Sequence, residues 1–197
     1  MRRWIRAVPA VVGVVALAAG VTGCTDKSGE KKGKARASAP AEEKTAYRLG
    51  EASPPQESTQ TASDGAMFTV TPTRVATGTK TDMDNSGLQK DEKNGPQIPV
   101  FVWTTLTHKS GPAMEVDDMD DDLVVRTAAG MRTKALLVMF GKAEWRNCPD
   151  AADGKKLSAG QSAQICTAFL VPEGQTAAAV ELTQGWHKKP LEWAAGA

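Results

Sequence analysis

The stretch Ile98–Gly111, IPVFVWTTLTHKSG, decides the fold class because, as an extended chain, it would place apolar side chains on both of its faces. One face of an extended chain would carry Ile98, Val100, Val102, Thr104 and Leu106, and the other face would carry Phe101 and Trp103. Since both faces hold large apolar residues, the pattern predicts an inner strand that is covered on two sides.

A second strand is predicted upstream, in MFTVTPTRVATG, residues 67–78. Phe68 and Val70 alternate there with Thr69 and Thr71, as in a half-buried strand. Pro72 lacks an N–H group, so it indicates an edge position or a bulge. The polar stretch TKTDMDNSGLQKDEKNGPQ, residues 79–97, is predicted to be a long loop.

The C-terminal half continues the strand pattern. DLVVRTAAGMRTK predicts a strand, a turn at Gly130 and a second extended segment, while residues 136–140 fit a short helix or a strand. GQSAQICTAFLVPEG predicts a strand that Pro172 and Gly174 end, and a last strand carries Ala178, Val180 and Leu182 inward. Clear helical periodicity is missing, so the sequence predicts an all-β antiparallel sandwich or barrel.

Three of these pieces carry a family resemblance: Val100–Gly111, Leu157–Gly160 and Phe169–Gly174, followed by a closing strand with Trp193. Together they resemble a family of lipid-anchored, extracellular immunoglobulin-like domains of Gram-positive bacteria. The resemblance covers roughly residues 65–193 and implies an immunoglobulin-like β-sandwich of about seven strands. Its motifs are structural, so it implies a fold rather than an activity.

The N-terminus has the layout of an export signal. MRRWIR is positively charged, AVPAVVGVVALAAG is apolar, and small residues follow before Cys24. From Ala7 to Gly23 the run spans about 17 residues, fewer than the roughly 20 that a transmembrane helix needs. Residues 1–23 are therefore predicted to be a signal peptide.

The end of this signal, Val21-Thr22-Gly23-Cys24, resembles the bacterial lipobox. The resemblance implies that Cys24 carries a diacylglyceryl group and becomes the first residue of a protein anchored at the extracellular face of the cell membrane. Two long acyl chains suffice for stable anchoring. The alternative is cleavage by ordinary signal peptidase after Gly20 or Gly23, which would release a soluble protein.

Residues 24–64 are predicted to be a lipidated N-terminus followed by a disordered, charged linker. The segment is rich in Ala, Ser, Glu, Lys and Pro, and its only bulky apolar residues are Tyr47 and Leu49. The basic run KKGKAR, residues 31–36, could approach anionic headgroups, but flanking glutamates favour an ordinary solvated linker. The folded domain is predicted to span residues 65–197.

The predicted lipidation of Cys24 determines which cysteines remain to form a disulfide. With Cys24 lipidated, Cys148 and Cys166 remain, and in an exported chain they can form a single disulfide. A metal site or redox pair is less favoured, because the close C-x-x-C spacing is missing. A disulfide here would close a loop of about 19 residues, for which chain entropy predicts roughly 3 kcal/mol of stabilisation.

Catalytic signatures are missing from the sequence. There is no G-x-S-x-G elbow, no H-E-x-x-H motif and no phosphate-binding glycine loop. His108 and His187 both lie in turn-like places and are predicted to be polar surface residues. We therefore assign no catalytic, cofactor-binding or metal-binding residue and predict that the protein is not an enzyme.

Two other stretches are candidate sites. The acidic stretch EVDDMDDD, Glu115–Asp122, is predicted to be a solvated loop, with a cation site or an acidic docking patch as alternatives. GWHKKPLEW, residues 185–193, is predicted to be a turn before the last strand with Trp193 against the core, and an aromatic and cationic surface for cell-wall glycan is the alternative.

The charge distribution bears on partners. The chain has 24 Lys and Arg against 23 Asp and Glu, and removing three arginines with the signal peptide leaves a slightly acidic protein. Such a chain has no general reason to bind nucleic acid. The prediction is a lipid-anchored, extracellular binding module with an unknown envelope protein or glycan as partner. The alternative is a structural envelope protein without a specific ligand.

Overall fold

The computed structural model describes residues 43–89, 95–119, 121–138, 143–149, 154–185 and 187–196. The predicted signal peptide, Cys24 and the basic run at residues 31–36 lie outside them. Within the described residues no helix is long and apolar enough to cross a membrane. Those residues form one α-helix, α1 (Lys80–Asn85), and eleven strands: β1 (Ala46–Arg48), β2 (Gln56–Glu57), β3 (Met67–Thr77), β4 (Gln97–Ser110), β5 (Met114–Glu115), β6 (Leu123–Thr127), β7 (Arg132–Lys134), β8 (Lys156–Leu157), β9 (Ser162–Pro172), β10 (Ala177–Leu182) and β11 (Leu191–Ala194).

The strands form two main sheets. One has four strands in the order β2-β3-β4-β9, and the other has five in the order β1-β11-β10-β6-β7. A two-stranded ribbon joins β5 to β8. All pairings are antiparallel except that of β1 with β11. The predicted all-β, antiparallel sandwich is therefore confirmed.

Strand β4 lies between β3 and β9 and holds the four-stranded sheet together. Its even-numbered apolar residues face the other sheet, and Phe101 belongs to a second cluster on the opposite face. The predicted inner strand with two apolar faces is thus confirmed. At Pro72 the pairing of β3 with β4 shifts register, so the predicted bulge is also present.

The main core lies between the two sheets. Its members come from both sheets and from the β5–β8 ribbon, and their side chains are almost completely buried; they include Val70, Val100, Leu106, Met114, Val125, Phe169, Val180 and Trp193. The turn at Gly130 connects β6 to β7 as predicted, with a φ of 84° that favours glycine. Residues 136–138 form neither helix nor strand, and residues 139–140 lie outside the described part of the chain.

The N-terminal boundary of the domain differs from the sequence prediction. Strand β1 extends the five-stranded sheet, and the Nε1 of Trp193 donates a hydrogen bond to the Glu51 carbonyl at 2.8 Å. Tyr47 and Leu49 pack against the main core. The prediction of a linker that continues to Asp64 is therefore wrong from residue 46 onward, because main-chain pairing and two apolar side chains order this segment.

The predicted long loop after β3 is interrupted by α1. Thr79 caps this helix: its Oγ1 accepts from the Asp82 N–H at 3.1 Å, and Asp82 accepts from the Thr79 N–H at 2.7 Å. This reciprocal pair is a capping box, which satisfies two otherwise free donors at the helix start. A prediction based on polar composition alone missed the helix.

The outer face of the five-stranded sheet carries a row of charged side chains. Glu181 on β10 accepts hydrogen bonds from Arg126 on β6 and from Arg132 on β7, each at 2.7 Å. Arg126 also donates to Glu192 on β11 at 2.6 Å. The Glu181 residue is only 3% exposed, so its carboxylate is buried beneath the two arginines that neutralise it.

Candidate ligand-binding cleft

Helix α1 forms one wall of a cleft on the outer face of the four-stranded sheet. Gly78 brings the chain against β4, where its N–H donates to the Pro99 carbonyl at 2.7 Å. A Cβ atom at this position would lie 2.7 Å from Pro99 Cγ and 2.9 Å from Phe101 Cε2, so only glycine fits without displacement. The capping box then starts the helix directly after this close approach.

The segment Ala143–Pro149 forms the opposite wall. Its Cys148 is bonded to Cys166 on β9, with a Cα–Cα distance of 5.2 Å, so the predicted disulfide is confirmed. The Glu144 N–H donates to the Ser86 carbonyl at the end of α1, at 2.9 Å. The Trp145 ring packs edge-on against Phe101 with 5.5 Å between the ring centroids. Three attachments therefore hold this wall against the sheet and the helix.

The cleft between the two walls has a volume of about 650 Å³ and is partly open to solvent. Its lining combines one hydroxyl, two amides, three charged groups and an aromatic ring, contributed by Thr81, Asp82, Asn85, Ala143, Glu144, Trp145, Arg146, Asn147 and Pro149. Six of the nine lining residues are polar or charged, so the cleft suits a polar ligand better than an apolar one.

Neither histidine contributes to this cleft. His187 is exposed, as predicted, whereas His108 is completely buried. The prediction that His108 is a surface residue is therefore wrong, because β4 continues to Ser110 and its inward-facing positions stay covered. Within the described residues neither ring nitrogen of His108 has a hydrogen-bond partner.

We expect His108→Leu to raise the free energy of unfolding by about 1 kcal/mol, because buried polar atoms without partners are costly. Urea unfolding of the full-length protein measures the change. The matched control is His187→Leu on the exposed turn, which should stay within about 0.5 kcal/mol of the wild type. A loss of stability of more than about 1 kcal/mol at position 108 would contradict this expectation and would indicate a buried water bonded to the ring.

In the described part of the acidic stretch Glu115–Asp122 no cation site is recognisable. Its centre is a 3₁₀ turn, Asp117–Met119, with Met119 buried, and Asp120 lies outside the described residues. Burial raises the pKa of Asp121, and the neighbouring carboxylates of Asp118, Asp122 and Asp117 raise it further. In the described part of the chain no group of three potential ligands is placed to hold a metal ion.

The segment of residues 185–193 does not form the alternative aromatic surface through Trp193. That side chain is 0% exposed and belongs to the main core. Trp186 lies outside the described residues. The prediction that Trp193 packs against the core is confirmed.

Fold and cleft together define a disulfide-bonded β-sandwich domain that carries a walled cleft. No known family model matches the chain, and no curated protein matches it. Among solved structures it is similar to MPT63, a secreted protein from Mycobacterium tuberculosis, with 14% identity and a TM-score of 0.49. The similarity covers 78% of this chain and 99% of that one, and it is too low to support a statement on function.

Proposed function

We propose that this protein is an exported lipoprotein whose sandwich domain acts as a non-enzymatic binding module at the extracellular face of the cell membrane. The observation that carries the proposal is the Cys148–Cys166 disulfide. Disulfides persist in oxidising compartments outside the cytosol, so the bond agrees with the export signal at residues 1–23. The lipobox-like sequence supports attachment through a diacylglyceryl group on Cys24.

The cleft supports binding rather than catalysis. Hydrolysis through an activated serine or cysteine needs a base, usually histidine, within hydrogen-bond reach of the nucleophile. Among the described residues no histidine lines the cleft, since His108 is enclosed in the core and His187 lies on an exposed turn. The polar groups that do line it are suited to holding a ligand.

Lipidation can be tested by mass spectrometry of the N-terminal peptide of the full-length protein, expressed in a Gram-positive host. We expect a mature peptide that begins at Cys24 and carries a diacylglyceryl group. Globomycin, which inhibits lipoprotein signal peptidase, should leave the precursor uncleaved, and Cys24→Ser should remove the lipid.

The control for this experiment is the double variant Cys148→Ser/Cys166→Ser. It should be lipidated like the wild type, because it keeps Cys24 and the lipobox-like sequence that ends there. A lipid-free N-terminus after Gly20 or Gly23, or processing that ignores globomycin, would overturn the proposed anchor.

A further inference from the structure

We propose that the cleft between α1 and Ala143–Pro149 binds a neutral, hydroxyl-rich saccharide. This inference deepens the proposed function by naming the ligand class of its binding site. The volume of about 650 Å³ lies within the range of roughly 300–1,000 Å³ that small-molecule sites occupy. A protein partner would instead need a broader surface, about 800 Å² on each side.

The polar groups of the lining are available to a ligand. Within the described residues we find no hydrogen bond or ion pair made by the side chains of Asn85, Glu144, Arg146 or Asn147. Each amide offers both donors and an acceptor, the guanidinium offers donors, and the carboxylate offers acceptors. A ligand that matches this set must itself donate and accept at several points, as sugar hydroxyl and acetamido groups do.

The charge balance argues against a strongly charged ligand. The lining has two carboxylates, Asp82 and Glu144, against one guanidinium, Arg146. The Asp82 carboxylate already accepts from the Thr79 N–H and from the Thr79 hydroxyl, each at 2.7 Å. These neutral donors leave the Asp82 charge in place, so the lining carries a net charge of −1, which has the wrong sign for a phosphate-rich ligand and is too small to select a polycation.

Ala143, Trp145 and Pro149 supply the small apolar part of the site. Trp145 is 8% exposed and is fixed by its contact with Phe101, so little conformational entropy is lost when a ligand packs against it. Because so little of Trp145 is exposed, a ligand can contact only the accessible part of its ring, and the polar side chains of the lining carry most of the recognition. The disulfide, the capping box and the Glu144–Ser86 hydrogen bond hold both walls in place before binding.

The test is calorimetric titration of the full-length protein with two trisaccharide probes, one of N-acetylglucosamine units and one of unmodified glucose units. We expect saturable binding of the acetylated probe in the submillimolar to millimolar range. Asn147→Ala and Arg146→Ala should each weaken it about tenfold, because each variant removes hydrogen bonds to the ligand. Binding of both probes supports recognition through hydroxyl groups, and binding of the acetylated probe alone supports recognition through the amide.

The matched control is Arg48→Ala, which removes an exposed arginine from β1 and should bind like the wild type. The proposal is overturned if neither probe binds up to about 10 mM, or if binding survives both cleft substitutions unchanged. Binding of charged peptides at the cleft with both probes inactive would also overturn it. These outcomes are separate from the anchor test, since a lipidated protein that ignores saccharides would refute only the ligand class.

Discussion

Trp193→Ala is expected to lower the free energy of unfolding by about 3–5 kcal/mol, the usual cost of emptying a large aromatic site in a core. The side chain is 0% exposed and lies 5.3 Å from the Tyr47 ring, centroid to centroid. Its Nε1 also donates to the Glu51 carbonyl. The substitution therefore leaves a cavity and also releases the segment that follows β1. Urea unfolding of the full-length protein, followed by circular dichroism, measures the loss.

Two variants separate these contributions. Trp193→Phe keeps most of the packing and removes the hydrogen bond, so we expect it to cost about 1–2 kcal/mol. Trp103→Ala removes a tryptophan that is partly exposed on the outer face of β4, with Arg74 lying 3.4 Å above its ring, and should cost less than Trp193→Ala. Equal losses at positions 103 and 193 would contradict the assignment of Trp193 to the core.

Loss of the disulfide is the second large effect that we expect. The double variant Cys148→Ser/Cys166→Ser should lower the free energy of unfolding by about 3 kcal/mol, because the cross-link closes a loop with a sequence separation of 18. Cys148 is 2% exposed and belongs to the same apolar cluster as Phe101, so a serine there also places a hydroxyl in a buried apolar environment. Because the bond holds one wall of the cleft, saccharide affinity should fall with stability.

Thermal unfolding of the oxidised wild type, the reduced wild type and the double variant measures this effect. Cys24→Ser, purified in the same way, is the control and should melt with the wild type, since it leaves the Cys148–Cys166 bond intact. Equal melting of the oxidised and reduced wild type would contradict a stabilising role for the disulfide.

The central strands could be predicted from the sequence because the alternation of side chains between the two faces of a strand determines both the apolar pattern and the burial. In β4 and β9 alternate residues enter the core, so a period of two in the sequence reports directly on the two faces. The cysteine pair was predictable because few partners were possible. These features depend on local spacing or on composition.

The remaining features depend on contacts that local spacing does not report. Strand β1 is only three residues long, and it is ordered by pairing with β11, at the other end of the chain. His108 lies at the end of a strand that continues further than its apolar pattern. The cleft joins two segments distant in sequence, and its only local signal was the Thr79-x-x-Asp82 capping pattern, which predicts a helix start.

The charged row of Arg126, Arg132, Glu181 and Glu192 has a consequence for how the chain assembles. If β10 slipped by one residue against its neighbours, Glu181 would turn into the core while Val180 and Leu182 turned outward. An unpaired carboxylate in that position costs several kcal/mol. A misregistered intermediate is thus destabilised twice, by the buried carboxylate and by the exposed apolar side chains. The charged row therefore favours the correct register of β10, the central strand of its sheet.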